Sequence, residues 1–391
     1  MRGKSGVVFL LLILSVILLT TGCWNRKELD RLAIVAAVGI DKGEDQKITL
    51  TVQVIKPEAL KRPSSEGGSG KEKGVWIIKS SGNTIFDAVR NFVEKSGRKL
   101  FLPHTMVIVI GEKMAKDGVI PVIDWFLRDH EMRLQTWVLV AQGEASEVIK
   151  GDSGLEKIPA SHLERMIEDY GALSKSVSSN LMEVTNMITC QSSHPVIGRI
   201  SKNKSGQDDE EELILKGAGV FRKDRLIGWL NPFETRGYLW IKGKVKSGVI
   251  TIPCPEHPDQ LISLEIIKSK TKVKPRLEMG MLKYTIEVDV NSNLGEQMCT
   301  EDLANPEMIA VLEDEQRQAV EKEIVALIRK AQEEYKLDIL GLGEATMREF
   351  PKEWNKVKEQ WAEEFPQAEV EVKVNSRLSL TGMLKSLKTL K

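Results

Sequence analysis

Hydrophobic positions along this chain fall into three patterns. The first is an unbroken run from Val7 to Leu19, interrupted only by Ser15. The second is alternation: Leu50, Val52 and Val54 interleave with Thr49, Thr51 and Gln53, which predicts a half-buried strand in "KITLTVQVI". "IVAAVGID" before it reads as a partner strand, with "DKGEDQ" as the turn. "VWIIKSSG", the apolar run of "TMVIVIGEKMAKDG" and "TWVLVAQG" read as further strands, the second of them followed by a turn. The third pattern is helical. "NTIFDAVRNFVEKSG" puts Ile85, Val89, Phe92 and Val93 on one face with Gly97 as the stop, and "VIPVIDWFLRDHEMR" reads as another helix. The order strand, strand, strand, helix, strand, helix, strand predicts a helix-flanked mixed sheet.

Periodicity weakens after Glu144, where "HLERMIEDYGALSKSV" and "SSNLMEVTNMIT" read as helices. Strand character returns in "LILKGAGVF", in "LIGWL" after the turn "KDR", and in "KVKSGVITIPCP". Two long alternating strands follow from Gln260, the second with Leu282, Tyr284, Ile286, Val288 and Val290 on one side. Next comes a long helix with Asn305 as cap and Pro306 just inside. Its stripe of Val320, Ile324, Leu327 and Ala331 predicts packing on its own sheet and is too short for a coiled coil. "WNKVKEQWAEEFP" places Trp354, Trp361 and Phe365 along one helical face, and "EVEVKVNSRLSLTG" reads as a last strand. The expected fold class is α+β or mixed α/β, multidomain, with mixed sheets flanked by helices.

Composition punctuates this pattern. Residues 57–74 are rich in Gly, Ser, Pro and charge and read as a mobile surface loop. Residues 201–210 turn from basic to acidic with almost no apolar content and read as a linker. With 391 residues the chain exceeds one comfortable core. The expected division is a leader at 1–22, an N-terminal α/β domain at 23–200, the linker at 201–210, and a C-terminal mixed-sheet and helix domain at 211–391.

The leader has Arg2 and Lys4, the apolar run, then Thr20, Thr21, Gly22 and Cys23. The run suits a signal-peptide core and falls short of the roughly 20 apolar residues of a span. "TTGC" has the pattern of a bacterial lipoprotein signal, in which the thiol takes a diacylglycerol and cleavage leaves Cys23 first. A plain secretory signal and a short uncleaved anchor are the alternatives. Two or three acyl chains hold a protein to a bilayer firmly where one does not, each methylene contributing about 0.8 kcal/mol.

Charge adds little. The chain has 56 basic and 56 acidic residues, and without the leader 54 against 56, which gives no sign of a nucleic-acid partner. Beyond Cys23 the cysteines are Cys190, Cys254 and Cys299, an odd set that allows at most one disulfide. Cys254 and His257 in "CPEH" are too few for a zinc site. GxSxG, HExxH, GxxxxGK[ST] and GxGxxG are absent, and "GLGEA" at Gly341 reads as a turn at a helix end. His104, His130, His162, His194 and His257 are scattered. No enzyme activity and no cofactor are expected. "GWLNPFETRGYLW" groups Trp229, Phe233, Tyr238 and Trp240 with Glu234 and Arg236; it reads as a turn that either docks a partner or packs locally, with Glu234 and Arg236 paired.

Several segments in order resemble one family: "GCWNRKELDRLAIVAAVGIDK", "QVIKP", "FLPHTMVIVIGEKMA", "DWFLRDHEMR", "GAGVFRKDRLIGWLNPFETRGYLWI" and "DILGLGEATMREFPKEWNKVKEQWAEEFP". These are similar to the Ger(x)C family, the C-subunit lipoproteins of spore germination receptors in endospore-forming bacteria. Thr20 departs from the usual leucine of the lipoprotein signal, and "FLPHT" carries a histidine where serine is more usual. The resemblance implies α/β domains with mixed sheets in a family-specific arrangement. It implies a non-enzymatic subunit on the outer face of the spore inner membrane, beside two integral membrane subunits, in a receptor that answers nutrients. It makes Cys23 the lipid attachment site and Trp229, Glu234, Arg236, Gly237, Tyr238 and Trp240 a structural or partner-facing motif. Gly217, Gly219 and Gly228 then serve tight backbone turns around that motif. Direct binding of a small molecule stays open, and an extracytoplasmic solute-binding lipoprotein is the alternative.

Overall fold

The computed structural model describes residue 6 and residues 31–61, 74–151, 156–205, 210–300, 302, 303 and 305–380. The leader run and Cys23 lie outside the described residues.

The N-terminal half runs β1 (Leu32–Lys42), β2 (Ile48–Ile55), α1 (Pro57–Lys61), β3 (Val75–Gly82), α2 (Ile85–Ser96), β4 (Lys99–Phe101), β5 (Val107–Ile110), α3 (Glu112–Asp117), α4 (Ile120–Arg128), β6 (Trp137–Ala141), α5 (Ala145–Lys150), α6 (Pro159–Asp169) and α7 (Leu181–Thr189). It is followed by β7 (Val196–Ser205), β8 (Glu210–Arg222) and β9 (Arg225–Leu230). These strands form one sheet in the order β3-β2-β1-β5-β6-β7-β8-β9, with β4 beside β1. β1, β5, β6 and β7 are parallel, β4 lies parallel to β1, and β2, β3, β8 and β9 are antiparallel to their neighbours. Every residue of β5 is buried because both faces are covered. Ile85 and Phe92 of α2 and Phe126 of α4 pack on one face, and Ile149 of α5 and Leu163 of α6 on the other.

The C-terminal half contains α8 (Pro232–Ile241), β10 (Gly248–Pro253), β11 (Leu261–Glu278), β12 (Met281–Gln297), α9 (Pro306–Arg329), α10 (Leu342–Glu349), α11 (Pro351–Val357), α12 (Trp361–Glu364) and β13 (Glu369–Leu380). A second sheet has the order β10-β11-β12-β13, with β13 parallel to β12. Tyr284, Ile286, Val288 and Val290 point inward from β12 and meet Val320, Ile324, Leu327 and Ala331, so the predicted sheet face and helix stripe pack together. Val196, Ala218, Val220 and Leu230 from the far end of the first sheet join the same core. Cys254 and Cys299 form a disulfide between the ends of β10 and β12, and Cys190 is free.

Several expectations need correction. The 57–74 loop begins with a short helix, α1, and residues 62–73 lie outside the described residues. The 201–210 linker is largely strand: Ser201–Ser205 pair with Glu210–Ile214 across the β7–β8 ribbon. A backbone ladder needs no apolar side chains, and the switch from basic to acidic residues is two complementary strands, with Lys202 paired to Glu211. β8 and β9 therefore belong to the first sheet. Val93 points away from the α2 core and is exposed, while Ala88 takes its place. "EKMAKD" is helix α3 and not a turn. Trp354, Trp361 and Phe365 do not share one helix, because α11, α12 and a 3-10 turn at Phe365–Gln367 divide the segment. Their rings still cluster, with centroids 5.5 Å apart for Trp354–Trp361 and 6.1 Å for Trp361–Phe365.

Candidate functional site

The "NPFETRGYLW" segment is helix α8 and not a turn. Asn231 caps it by accepting from the Phe233 and Glu234 N–H groups at 2.9 Å each, and Glu234 returns the bond by accepting from the Asn231 N–H at 2.7 Å. Pro232 occupies the first helical turn, where its missing N–H costs nothing. Glu234 also pairs with Lys330 at 3.1 Å, on the π-helical turn that continues α9. Glu234 and Arg236 do not pair with each other.

Arg236 instead turns inward to Glu323 of α9. Its Nε donates to both carboxylate oxygens at 2.9 and 2.8 Å, Nη2 donates to Oε1, and Nη1 donates to the Val249 carbonyl of β10 at 2.8 Å. Trp240 Nε1 donates to Glu323 Oε2 at 2.8 Å. Glu323 is 2% exposed and Trp240 fully buried, so the carboxylate's bonds replace its lost water. Gly237 makes this approach possible: a Cβ there would lie 2.3 Å from the Glu323 carbonyl oxygen. Tyr238 is buried on the same helix, and burial pushes its phenol well above the ordinary tyrosine range. Trp229 is half-buried at the end of β9; the Arg199 guanidinium lies 5.8 Å from its ring, and its carbonyl accepts from the Tyr335 hydroxyl at 3.0 Å. The motif thus fastens the end of the first sheet, α8, α9 and β10 together.

The hydrophobic pattern concealed three buried polar residues of the C-terminal half. Gln316 and Glu323 are polar members of the buried α9 stripe; Gln316 donates to Ser292 and accepts from Ser376 at 2.7 Å. A polar side chain at a core position of a periodic helix is the signal that marks them. Asp338 is the third. It is 3% exposed, and its carboxylate accepts from the Gly341, Leu342 and Gly343 N–H groups at 2.7, 3.2 and 2.7 Å and from Trp361 Nε1 at 3.1 Å. "GLGEA" is the start of α10, with Gly341 in the left-handed region at φ 87°.

A separate open cleft of about 940 Å³ lies at the carboxyl ends of β1 and β5. Lys47, Lys79, Lys113, Glu44 and Glu144 are among its walls. Asp41 at its base accepts from the Ala145 and Ser146 N–H groups at 2.8 Å each, and burial pushes its carboxyl up. Among the described residues no group of three His, Cys, Asp or Glu could hold a metal, and no helix is long and apolar enough to cross a membrane.

Two family profiles match in succession: "Spore germination protein N-terminal domain" over residues 25–202 and "Spore germination B3/GerAC like, C-terminal" over residues 216–382. The chain belongs to the Ger(x)C family. The Ger(x)C relatives include spore germination protein KC of Bacillus subtilis, 29% identical with 97% of each chain covered, and spore germination protein B3 of the same organism, 27% identical over 96% of this chain and 97% of that one. A crystal structure of the GerBC protein superposes with a TM-score of 0.58 at 23% identity, covering 87% of this chain and 96% of that one. The first profile ends at residue 202 inside β7, and the second opens at residue 216 inside β8. The α8–α9 junction falls wholly in the second.

Proposed function

We propose that this protein is the non-enzymatic, lipid-anchored C subunit of a nutrient-responsive spore germination receptor. It sits on the outer face of the spore inner membrane, tethered through Cys23, and works with two integral membrane subunits. The observation that carries this reading is end-to-end collinearity: this chain and its germination relatives align over nearly their full lengths, with both family domains in order. "TTGC" supplies the anchor. In this reading Trp229, Glu234, Arg236, Gly237, Tyr238 and Trp240 keep the two halves in one fixed relation, so a contact on either half is felt by the other. The test is Cys23→Ala. The variant is expected to leave the membrane fraction of spores and to slow germination; normal fractionation with normal germination contradicts the anchor's role.

The cleft at the carboxyl ends of β1 and β5 favours a second reading, in which the subunit binds a polar solute itself. Calorimetry of the purified chain with germinant amino acids and sugars decides between them. Saturable heat lost in Lys79→Ala supports direct binding, and no heat supports a purely assembling subunit.

A further inference from the structure

We propose that the outward face of the second sheet is a contact surface for an anionic lipid bilayer, with the β11–β12 hairpin tip entering the interface. The inference starts from a bulge. Ile262, Leu264 and Ile266 of β11 point into the core, and the ladder then shifts between Ile266 and Lys268. One extra residue reverses which positions face out. Beyond it the outward positions are Lys268, Lys270, Lys272, Lys274 and Arg276, a row of one sign at about 6.6 Å intervals. β10 pairs only with Leu261–Ile266, so this row stands on a strand edge.

The acidic side chains of β12 and β13 beside the row are paired, one of them with Lys274 of the row itself. Glu287 pairs with Lys274 at 2.6 Å, Glu369 with Lys283 at 3.0 Å and Glu371 with Lys373 at 3.0 Å, while Asp289 accepts from Asn375 at 2.9 Å. Among the described residues, no ion pair involves Lys268, Lys270, Lys272 or Arg276. Charge on an edge strand deters pairing with another chain, but that need does not call for a single sign.

The next outward position is Glu278, which pairs with Lys283 at 3.4 Å, and the turn around it is apolar. Leu277, Met279 and Met281 are 43%, 99% and 60% exposed. Met279 and Gly280 have φ of 50° and 82°, the paired positive values of a type I′ turn. Asn or Asp is favoured at the first of these positions, and a methionine held left-handed in water has no local compensation. Unpaired cations beside an exposed apolar tip are the two components of interfacial lipid binding. An acidic polymer satisfies the cations and gives the methionines nothing, so the bilayer fits the whole surface better.

The test uses the full lipid-anchored chain carrying Cys190→Ser and Met279→Cys, with an environment-sensitive fluorophore on residue 279. It is reconstituted on vesicles of phosphatidylcholine alone or of an equal mixture with phosphatidylglycerol. The probe is expected to move into an apolar environment, with quenching by lipid-borne quenchers, only on the anionic vesicles and less so at high salt. Replacing Lys268, Lys270, Lys272 and Arg276 with Gln is expected to cut the transferred fraction about tenfold or more. These side chains are exposed, so an unchanged near-ultraviolet circular dichroism spectrum confirms that the variant is folded. A probe that stays in water on both vesicle types overturns the inference, as does transfer that ignores lipid charge or the Gln substitutions. Saturation of the face by polyglutamate while the probe stays in water on anionic vesicles overturns it in favour of an acidic protein partner. Flotation with both vesicle types reports the Cys23 anchor separately, so failure of the anchor and failure of the sheet contact are distinguishable.

Discussion

Glu323 is one carboxylate with its solvent replaced by Arg236 and Trp240, and that arrangement is sensitive to losing either partner. Glu323→Gln leaves the Arg236 guanidinium buried without its counter-charge and is expected to cost about 3–5 kcal/mol in urea unfolding. Replacing both partners with apolar side chains, Arg236→Met with Glu323→Leu, is expected to cost less than either single change, since no buried charge is stranded. His194 makes a pH-dependent contribution. Its Nδ1 accepts from the Lys223 N–H at 3.2 Å, and burial together with Arg222 and Lys223 holds its pKa below the usual 6.5. The unfolded chain therefore binds a proton near pH 6.5 that the folded chain refuses. Stability from this group is present above that pH and is lost as pH falls from 6.5 towards the lower folded value. His194→Asn is expected to flatten the difference in urea midpoint between pH 7.5 and about pH 5.5.

Helices α8 and α9 meet at Gly237, where a Cβ would lie 2.3 Å from the Glu323 carbonyl oxygen. Gly237→Ala must push the helices apart and is expected to destabilise by about 1–3 kcal/mol, read as a lower thermal midpoint with unchanged far-ultraviolet circular dichroism. Gly237 was legible in the sequence as part of a motif, but its reason was not: the clash is with a residue 86 positions away. Elements with strong periodicity were readable. The alternation of β12 and the stripe of α9 named their own buried faces, because one apolar side against one core needs no knowledge of the partner. The β7–β8 ribbon was unreadable for the opposite reason. Its strands are held by backbone pairing and complementary charge, which look like a solvated linker until they are side by side. Arg236 was visible as a charge near an acid, yet the nearest acid in sequence, Glu234, was the wrong partner, because α8 turns the two side chains to different neighbours.

Taken whole, the molecule is two sheets sharing a core, with the C-terminal half closed by one covalent clamp. Cys254 and Cys299 are 45 residues apart, and breaking their disulfide is expected to cost about 2–4 kcal/mol through the larger freedom of the opened chain. Urea unfolding with and without reductant measures it, and Cys254→Ser with Cys299→Ser is expected to match the reduced protein. What distinguishes an assembling subunit from a free lipoprotein is its company in the spore membrane. The direct measurement is to purify the affinity-tagged full chain from detergent-solubilised spore inner membranes and identify by mass spectrometry what remains bound in constant proportion. The account predicts two integral membrane proteins retained with it. Recovery of the chain alone, with its membrane partners absent under conditions that preserve its own fold, would contradict it.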